Sequence, residues 1–572
     1  LGRIFPAQAK RLAPDLFFQK QIYRVDGETI HLPPGQYRIQ YSRGPEYVVK
    51  ETKLTVPDKA TTALSLDLKL ERWVNPAAGG FFSGDHHIHA SGCAHYDSPT
   101  VGIGPPDIFR HIKGEGLNVG SVLTWGPGFD HQRKFFTPDA DAVSEGLTLL
   151  KYDLEISGFG SAPLGHVCLL NLKNQTYPGS EGTSSKGWPS WTIPVMRWTK
   201  EQGGFAGYAH SASGLHIDPE SESPRLIKQW DENTDTFLTE QETKTALLPF
   251  SFEKIDTNSD EKLNKAELIS ALTLSAEQLP NLAIPGMNGA GALEIAVSSA
   301  MGVCDFISAM DTARIQEWNT WYHLLNCGMK VKVSGETDFP CMSGTRVGQG
   351  RVYVQLGDIE KLNYAEWCSG LAAGRSYVSD GYAHALDFSV NKAKPGLDDV
   401  ELTQAGTVTV KARVSFAPEI PIGVPYGNEI PQDGKKSVGD TVNLRFPDDA
   451  KTESGGTRLI EIVVNGKAVA SRKIPADGKE HDLQFDVSIQ ESSWVALRHF
   501  PQLHTNPVNV IVAGKPIRAS ADSARWCIAM TQKLWVNRAK KIRAEERQEA
   551  RKTYDKAIAI YEQIREEADT GR

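Results

Sequence analysis

Three histidines fall within four positions in Gly84-Asp85-His86-His87-Ile88-His89. On an extended strand His87 and His89 project to the same face, where two neutral imidazoles can hold one cation. Such a pair alone is a weak signal, because short histidine clusters also sit on surfaces. It gains weight from polar groups further along the chain. Glu155 stands in Tyr152-Asp153-Leu154-Glu155-Ile156, and His166 immediately precedes the apolar run Val167 to Leu170. His210 ends Gly207-Tyr208-Ala209-His210, and Asp338 comes shortly after Val331-Lys332-Val333. Four imidazoles with two carboxylates suit borderline cations such as Zn²⁺ or Mn²⁺, and Glu155 could bridge two of them. A paired centre acidifies a water and polarises the bond it attacks, so no Ser or Cys nucleophile is needed. Six separately satisfied polar groups is the bland alternative. It suits any one of the six alone, whereas the joint pattern favours a site.

A second signal lies at residues 256–267, Asp-Thr-Asn-Ser-Asp-Glu-Lys-Leu-Asn-Lys-Ala-Glu. Side-chain oxygens of Asp256, Asn258, Asp260, Asn264 and Glu267 fall at positions 1, 3, 5, 9 and 12 of an EF-hand Ca²⁺ loop, with the Lys262 carbonyl at 7. Glu261 takes the place of the usual glycine at position 6 and should strain the turn and weaken binding. Arg346 and Arg351 could hold an anionic substrate group, although a surface-charge reading is equally good. Trp125 could line a pocket or fill core. His384, near Asp380, reads as an ordinary hydrogen-bonded residue.

The elements that must position these groups are read from periodicity. Short alternating runs in the first 78 residues, at 36–41 and 63–70, predict a small β-sandwich. From 79 to 387 short apolar runs alternate with helical stretches, predicting parallel βα units that collect functional side chains at the C-terminal ends of strands. Strands are expected at 121–124, 167–170, 303–307 and 331–333. Ile315, Trp318, Tyr322 and Leu325 mark a helix face between the last two. The calcium-type loop would sit in an insertion at about 240–280. Residues 388–515 return to a β pattern, a second sandwich, and 516–572 form a helical segment. In its last part Tyr554, Ala557, Ile558, Tyr561 and Ile564 make an apolar stripe that should pack on its own protein.

With these blocks in view, the chain resembles the polymerase-and-histidinol-phosphatase (PHP) superfamily in its carbaryl-hydrolase-like CehA/McbA branch. The resemblance rests on residues 84–89, Leu154-Glu155-Ile156 with Gly165-His166, Tyr208-Ala209-His210, Gly335-Glu336-Thr337-Asp338 and Gly374-Arg375-Ser376-Tyr377, and covers roughly the middle 300 residues. It implies a distorted β/α barrel and metal-dependent hydrolysis of an ester, carbamate or phosphoester. It further implies a first metal on His87, His89 and Asp338, a second on His166 and His210, and a bridging Glu155, with Glu155, Asp338 and His210 catalytic. Two departures matter. Thr124-Trp125-Gly126 replaces the family's Thr-Asp-His, and Asp338-Phe339-Pro340 replaces its Asp-x-His. The expected inventory is therefore two transition metals plus one calcium, while His95, Asp130 and His131 could supply a third position from loops.

Composition bounds the rest. A chain of 572 residues should hold three or four compact units, which excludes a small binding module. With 62 Lys and Arg against 70 Asp and Glu, its charge of -8 makes it a poor general partner for nucleic acid or anionic lipid. No run reaches the ~18 apolar residues of a membrane span. Seven scattered cysteines with no CxxC argue against a zinc ribbon. The chain starts at Leu1 without a basic, apolar leader, so a trimmed signal peptide and a secreted or periplasmic bacterial location are expected. The function expected first is hydrolysis of a small or oligomeric ester or carbamate. The alternatives are a phosphoesterase and a non-catalytic carbohydrate- or surface-binding protein on a degenerate barrel.

Overall fold

The computed structural model describes residues 21–59, 63–96, 100, 103–342, 346–422 and 448–570. Strands are numbered in chain order. β1 (Gly35–Tyr41) and β2 (Lys50–Val56) pair antiparallel, with Gly35 opposite Val56. The run at 63–70 forms no ladder, and Leu64, Leu66, Leu68 and Leu70 remain between 38% and 49% exposed. Alternation gives a segment a strand-like face but not a partner strand. Among the described residues, the N-terminal sandwich expected for 1–78 is therefore one two-stranded sheet, and residues 1–20 lie outside the described residues.

The site residues belong to a fifteen-stranded mixed sheet. Its first part comprises β3 (Phe81–Ile88), β4 (Val119–Thr124), β5 (Leu149–Ile156), β6 (Val167–Leu170) and β7 (Phe205–Tyr208). After β8 (Leu238–Thr239) and β9 (Lys262–Leu263), which pair with each other, come β10 (Phe306–Ala309) and β11 (Lys332–Gly335). Spatial order runs β11-β10-β7-β6-β5-β4-β3. Every residue of β3 and β5 is buried, as expected for strands covered on both faces. The pairs β3·β4, β4·β5, β7·β10 and β10·β11 are parallel, whereas β6 is antiparallel to both its neighbours. The expectation of uniformly parallel units fails there, because residues 157–166 are too short a link for a crossover helix. The helix expected before β11 is present as Arg314–Asn326, with Ile315, Trp318, Tyr322 and Leu325 all buried.

The two ends of this seven-strand run curl toward each other. Ile88 bridges Phe339 in the parallel sense, and the His89 N–H donates to the Phe339 carbonyl at 2.7 Å. The outer edge of β11 is met by a side chain. The Asn506 amide donates to the Val333 carbonyl and accepts the Val333 N–H.

Beyond β3 the same sheet continues through β12 (Arg351–Gln355) and β13 (Ser376–Ser379). The remaining strands are β14 (Ala383–Val390), β15 (Val400–Leu402), β16 (Gly406–Phe416), β17 (Glu419–Ile422), β18 (Asp448–Ser454), β19 (Thr457–Val464) and β20 (Lys467–Pro475). They are followed by β21 (Glu480–Ile489), β22 (Ser493–His499), β23 (Leu503–Thr505) and β24 (Val508–Val512). β14, β16 and β21 form a separate antiparallel sheet, and its Val408, Val410 and Phe416 share a core with Ile460, Ile462 and Leu497 of the large sheet. The expected boundary at 387/388 falls inside β14, and β13 ladders to β23. A continuous ladder, not a linker, therefore joins the two regions.

The helical segment expected at 516–572 holds two long helices, Ala521–Arg538 and Arg547–Thr570. Tyr554, Ala557, Tyr561 and Ile564 face the body of the protein, and the Tyr561 hydroxyl donates to the Ala296 carbonyl at 2.8 Å. Between β7 and β10, the helices Pro219–Trp230 and Lys265–Ala276 with β8 and β9 enclose their own small core of Leu226, Leu238, Ile255, Leu263, Leu268 and Leu272. This insertion begins near 219, earlier than the expected 240, because a first helix and loop precede the one legible as a calcium motif. No described helix is long and apolar enough to cross a membrane.

Candidate metal centre

His87 lies in β3 and His89 one residue past its end; Glu155 is the penultimate residue of β5. His210 follows β7 and Asp338 follows β11. His166 precedes β6, and because β6 runs in reverse, its start lies at the same edge as the ends of its neighbours. Six groups from five separate stretches of the chain thus meet along one sheet edge. His210 (φ 31°) and Asp338 (φ 46°) adopt left-handed backbone, a strained conformation for residues with a Cβ and one that clusters at functional sites.

Glu155 divides its two oxygens between two groups of ligand atoms. Oε2 lies 3.3 Å from His87 Nε2 and 3.4 Å from His89 Nε2. Oε1 lies 3.3 Å from His166 Nδ1 and 3.4 Å from His210 Nε2. Asp338 Oδ1, buried without a hydrogen-bond partner, completes the first group at 3.0 Å from His89 Nε2 and 3.4 Å from His87 Nε2. The ring nitrogens face each other at 3.2 Å in the His87–His89 pair and 3.0 Å in the His166–His210 pair. Four atoms about 2.1 Å from a tetrahedral Zn²⁺ lie about 3.4 Å apart, so these separations fit the edges of a coordination shell.

The surroundings aim the rings. His87 Nδ1 meets Glu336 Oε2 at 2.9 Å, and His89 Nδ1 meets the Leu123 carbonyl at 3.0 Å, which leaves each Nε2 facing the centre. Glu336 Oε1 also accepts the His210 N–H at 2.6 Å, tying the two groups together. Buried Asp85 accepts from the backbone N–H groups of His87, Thr337 and Gly348, holding β3 against the chain that carries Asp338. Burial pushes the Glu155 and Asp338 carboxyls up, yet the facing histidines, His87 foremost, hold both below their usual range. Burial disfavours a charged His89 ring as well, but Asp338 and Glu155 push its pKa up to about 10. Positive charge is favoured at the His87, His89 and His210 rings, where a metal ion must displace protons to bind, whereas burial lowers the His166 pKa.

Around the six, outcomes differ. Trp125 follows β4, and its ring packs 5.2 Å from that of His89 and stacks at 5.7 Å on that of His95. Arg346 donates to the Tyr382 hydroxyl and pairs with Glu115 at 3.7 Å, so the expected substrate contact gains no support. Arg351 is fully buried and donates to the carbonyls of Gly348 and Glu115, a structural role. His384 bonds the Tyr377 hydroxyl and the Gly381 carbonyl, as an ordinary buried histidine would. Asp130 is exposed, and His131 bonds Ser91. His95 Nδ1 lies 3.5 Å from Cys93 Sγ and 3.0 Å from Cys341 Sγ, a group with metal-ligand spacing beside Asp338. Cys93 and Cys341 are not conspicuous in the sequence because neither lies in a CxxC. Glu336 is not conspicuous because it acts through His87 and His210.

In the insertion, Asp256 accepts the N–H groups of Asp260 and Glu261, while Glu267 accepts those of Thr257 and Asn264. Glu261 has φ 61°, the left-handed turn that position 6 requires. A second loop of the same make precedes it and was missed from sequence. Asp231, Asn233, Asp235, Thr239 and Glu242 occupy positions 1, 3, 5, 9 and 12, with the Phe237 carbonyl at 7. Asp231 accepts the N–H groups of Asp235 and Thr236, and Glu242 those of Glu232 and Thr239. Thr236 has φ 70°. Leu238 pairs with Leu263, so position 8 of one loop ladders to position 8 of the other. Threonines at positions 6 and 9 hid the motif.

Comparison with protein-family models, curated proteins and solved structures returns no match.

Proposed function

We propose that the chain is a metal-dependent hydrolase of the PHP superfamily, in its CehA/McbA branch, cleaving an ester or carbamate. The observation that carries this reading is the division of Glu155 between two histidine pairs, one of which Asp338 completes. His87, His89, Asp338 and Glu155 Oε2 would hold one divalent transition metal, Zn²⁺ or Mn²⁺. His166, His210 and Glu155 Oε1 would hold a second. Two such cations acidify a water and polarise the carbonyl or phosphoryl oxygen of a substrate. The chain's own residues fix the two groups in place. Glu336 and the Leu123 carbonyl set the tautomers of His87 and His89, and the Trp125 ring keeps bulk water from the His89 side. His166, with 18% of its side chain exposed, opens the site to solvent.

The seven strands from β3 to β11 then form the distorted β/α barrel, a reading supported by the approach of Phe339 to Ile88. The insertion would be a calcium lobe of two loops, one more than the sequence suggested. Loops without glycine at position 6 suit the weak affinities of extracellular modules, in keeping with a secreted or periplasmic location. Metal-loaded protein assayed on chromogenic esters, carbamates and phosphodiesters tests the reading. Ester or carbamate turnover that a chelator abolishes and Zn²⁺ or Mn²⁺ restores is expected. Metal-loaded protein inactive on the whole panel would instead favour a non-catalytic scaffold. We expect His95→Ala to leave the transition-metal count at two; loss of a third ion would place one on Cys93, His95 and Cys341.

A further inference from the structure

The side of the centre that opens to solvent is not electrically neutral. A cleft of about 460 Å³ runs from His166 past Phe159, Pro163 and Ala290 to Arg538 and Lys541. Arg538 ends the helix Ala521–Arg538, and Lys541 ends the short turn that follows it. None of the ten residues lining the cleft is acidic. Among the described residues neither cation makes an ion pair, and Arg538 Nη2 donates to the Gly289 carbonyl at 3.2 Å. Two uncompensated cations are notable in a chain whose acids outnumber its bases by 70 to 62.

The floor between His166 and the cations is kept low by its residue types. Gly158 (φ +74°) and Gly160 (φ +53°) are in left-handed backbone, which a larger residue would enter only with strain. Gly289 cannot carry a side chain, since a Cβ there would sit 2.4–2.5 Å from the Gly214 and Ser213 backbone. Apolar Phe159 and Pro163 flank the path. The cleft is therefore an apolar trough with a histidine of the metal centre at one end and two fixed positive charges at the other.

We propose that Arg538 and Lys541 form a subsite for an oxyanion carried by the substrate, so that the preferred ester bears a carboxylate or phosphate remote from the bond cleaved. The C-terminal segment thereby becomes a specificity element of the enzyme. The guanidinium offers planar paired donors and the ammonium a mobile point charge, a combination that accepts either anion. This inference rests on the hydrolase reading of the His166 side.

The test compares kcat/KM for p-nitrophenyl hemisuccinate, p-nitrophenyl butyrate and a phosphate-bearing ester in the parent and in Arg538→Gln/Lys541→Gln. The parent should prefer the hemisuccinate over the butyrate by about tenfold or more, the size of one charge-assisted contact, with the difference carried by KM. In the double variant the ratio should fall toward one, and the parent's preference should weaken with added salt. The relative rates of the two anionic esters decide between carboxylate and phosphate. A parent without preference, or a ratio unchanged in a folded double variant, overturns the proposal. Lys541→Gln alone, at an exposed position, provides a second variant that spares the Arg538–Gly289 contact. Titration calorimetry with succinate separates the two readings. Succinate binding that the double variant weakens about tenfold, with no ester turned over, keeps the subsite and removes the hydrolase; ester turnover without anion preference or succinate binding does the reverse.

Discussion

Glu336 shows how much a residue outside the six candidate ligands can govern. It is fully buried, one oxygen orients the His87 ring and the other holds the His210 backbone in its left-handed conformation. Glu336→Gln should keep the fold and lower transition-metal affinity by about 10- to 100-fold, because the neutral amide no longer favours the tautomer that leaves His87 Nε2 as a ligand. Competition with a chromophoric chelator measures this, and unchanged affinity would show that the ring is held by packing alone. The six candidate ligands were legible from sequence because imidazoles and carboxylates beside apolar runs are chemically conspicuous. Glu336 lay two residues from Asp338 in plain view, yet nothing in residue type separates a carboxylate that could bind a metal from one that aims a histidine. For the arginines residue type left two readings open: Arg346 and Arg351 carry the charge an anionic group would need, and Glu115, Tyr382 and backbone carbonyls engage it.

Paired loops and docked helices carry the predictions that belong to whole elements. Because β8 and β9 ladder the two acidic loops, ordering one should help to order the other. Glu242→Gln and Glu267→Gln should each lower Ca²⁺ affinity and thermal stability in calcium, and Glu242→Gln should also weaken binding at the other loop. Position 12 normally supplies two oxygens, so each change removes charge as well as a ligand. Calorimetric titration with Ca²⁺ measures this; a parent that melts identically in calcium and in chelator would contradict it. The helix Arg547–Thr570 docks through Tyr554, whose hydroxyl donates to Glu294. Burial raises the Glu294 pKa from 4.5 to about 7. The folded state then holds a proton that the unfolded state has released, so this group's stabilisation is complete below about pH 4.5 and is lost as pH rises to about 7. The stability difference between Glu294→Gln and the parent should therefore move in the variant's favour across that window, as denaturant unfolding at several pH values would show. A pH-independent difference would mean that Glu294 titrates normally. At this scale periodicity served well for β6 and for Arg314–Asn326, whose apolar residues are all buried. It failed at 63–70, where alternation found no partner strand.

Across the whole molecule, one sheet ties together regions that composition divides. The compositional change near 388 is real, since strand alternation there replaces helical periodicity. Yet the backbone crosses it inside β14, and β13 pairs with β23 as regularly as with β12. Long-range ladders of this kind leave no trace in local sequence, so the boundary could not be read from it. The β3 to β11 run was legible as alternating strands and helices, whereas the reversal of β6 was not, because direction depends on the length and course of the links. That reversal brings His166 to the common edge, and the curl of the sheet brings Asp338 back to His89. The groups that meet there are expected to hold two metal ions through one carboxylate. The most direct measurement is elemental analysis of metal-loaded, desalted parent and Glu155→Gln protein, together with their turnover of the preferred ester. About two transition metals per chain are predicted in the parent, with loss of at least one and of nearly all turnover in a folded Glu155→Gln variant. A variant that keeps both metals and full turnover would contradict the bridging centre.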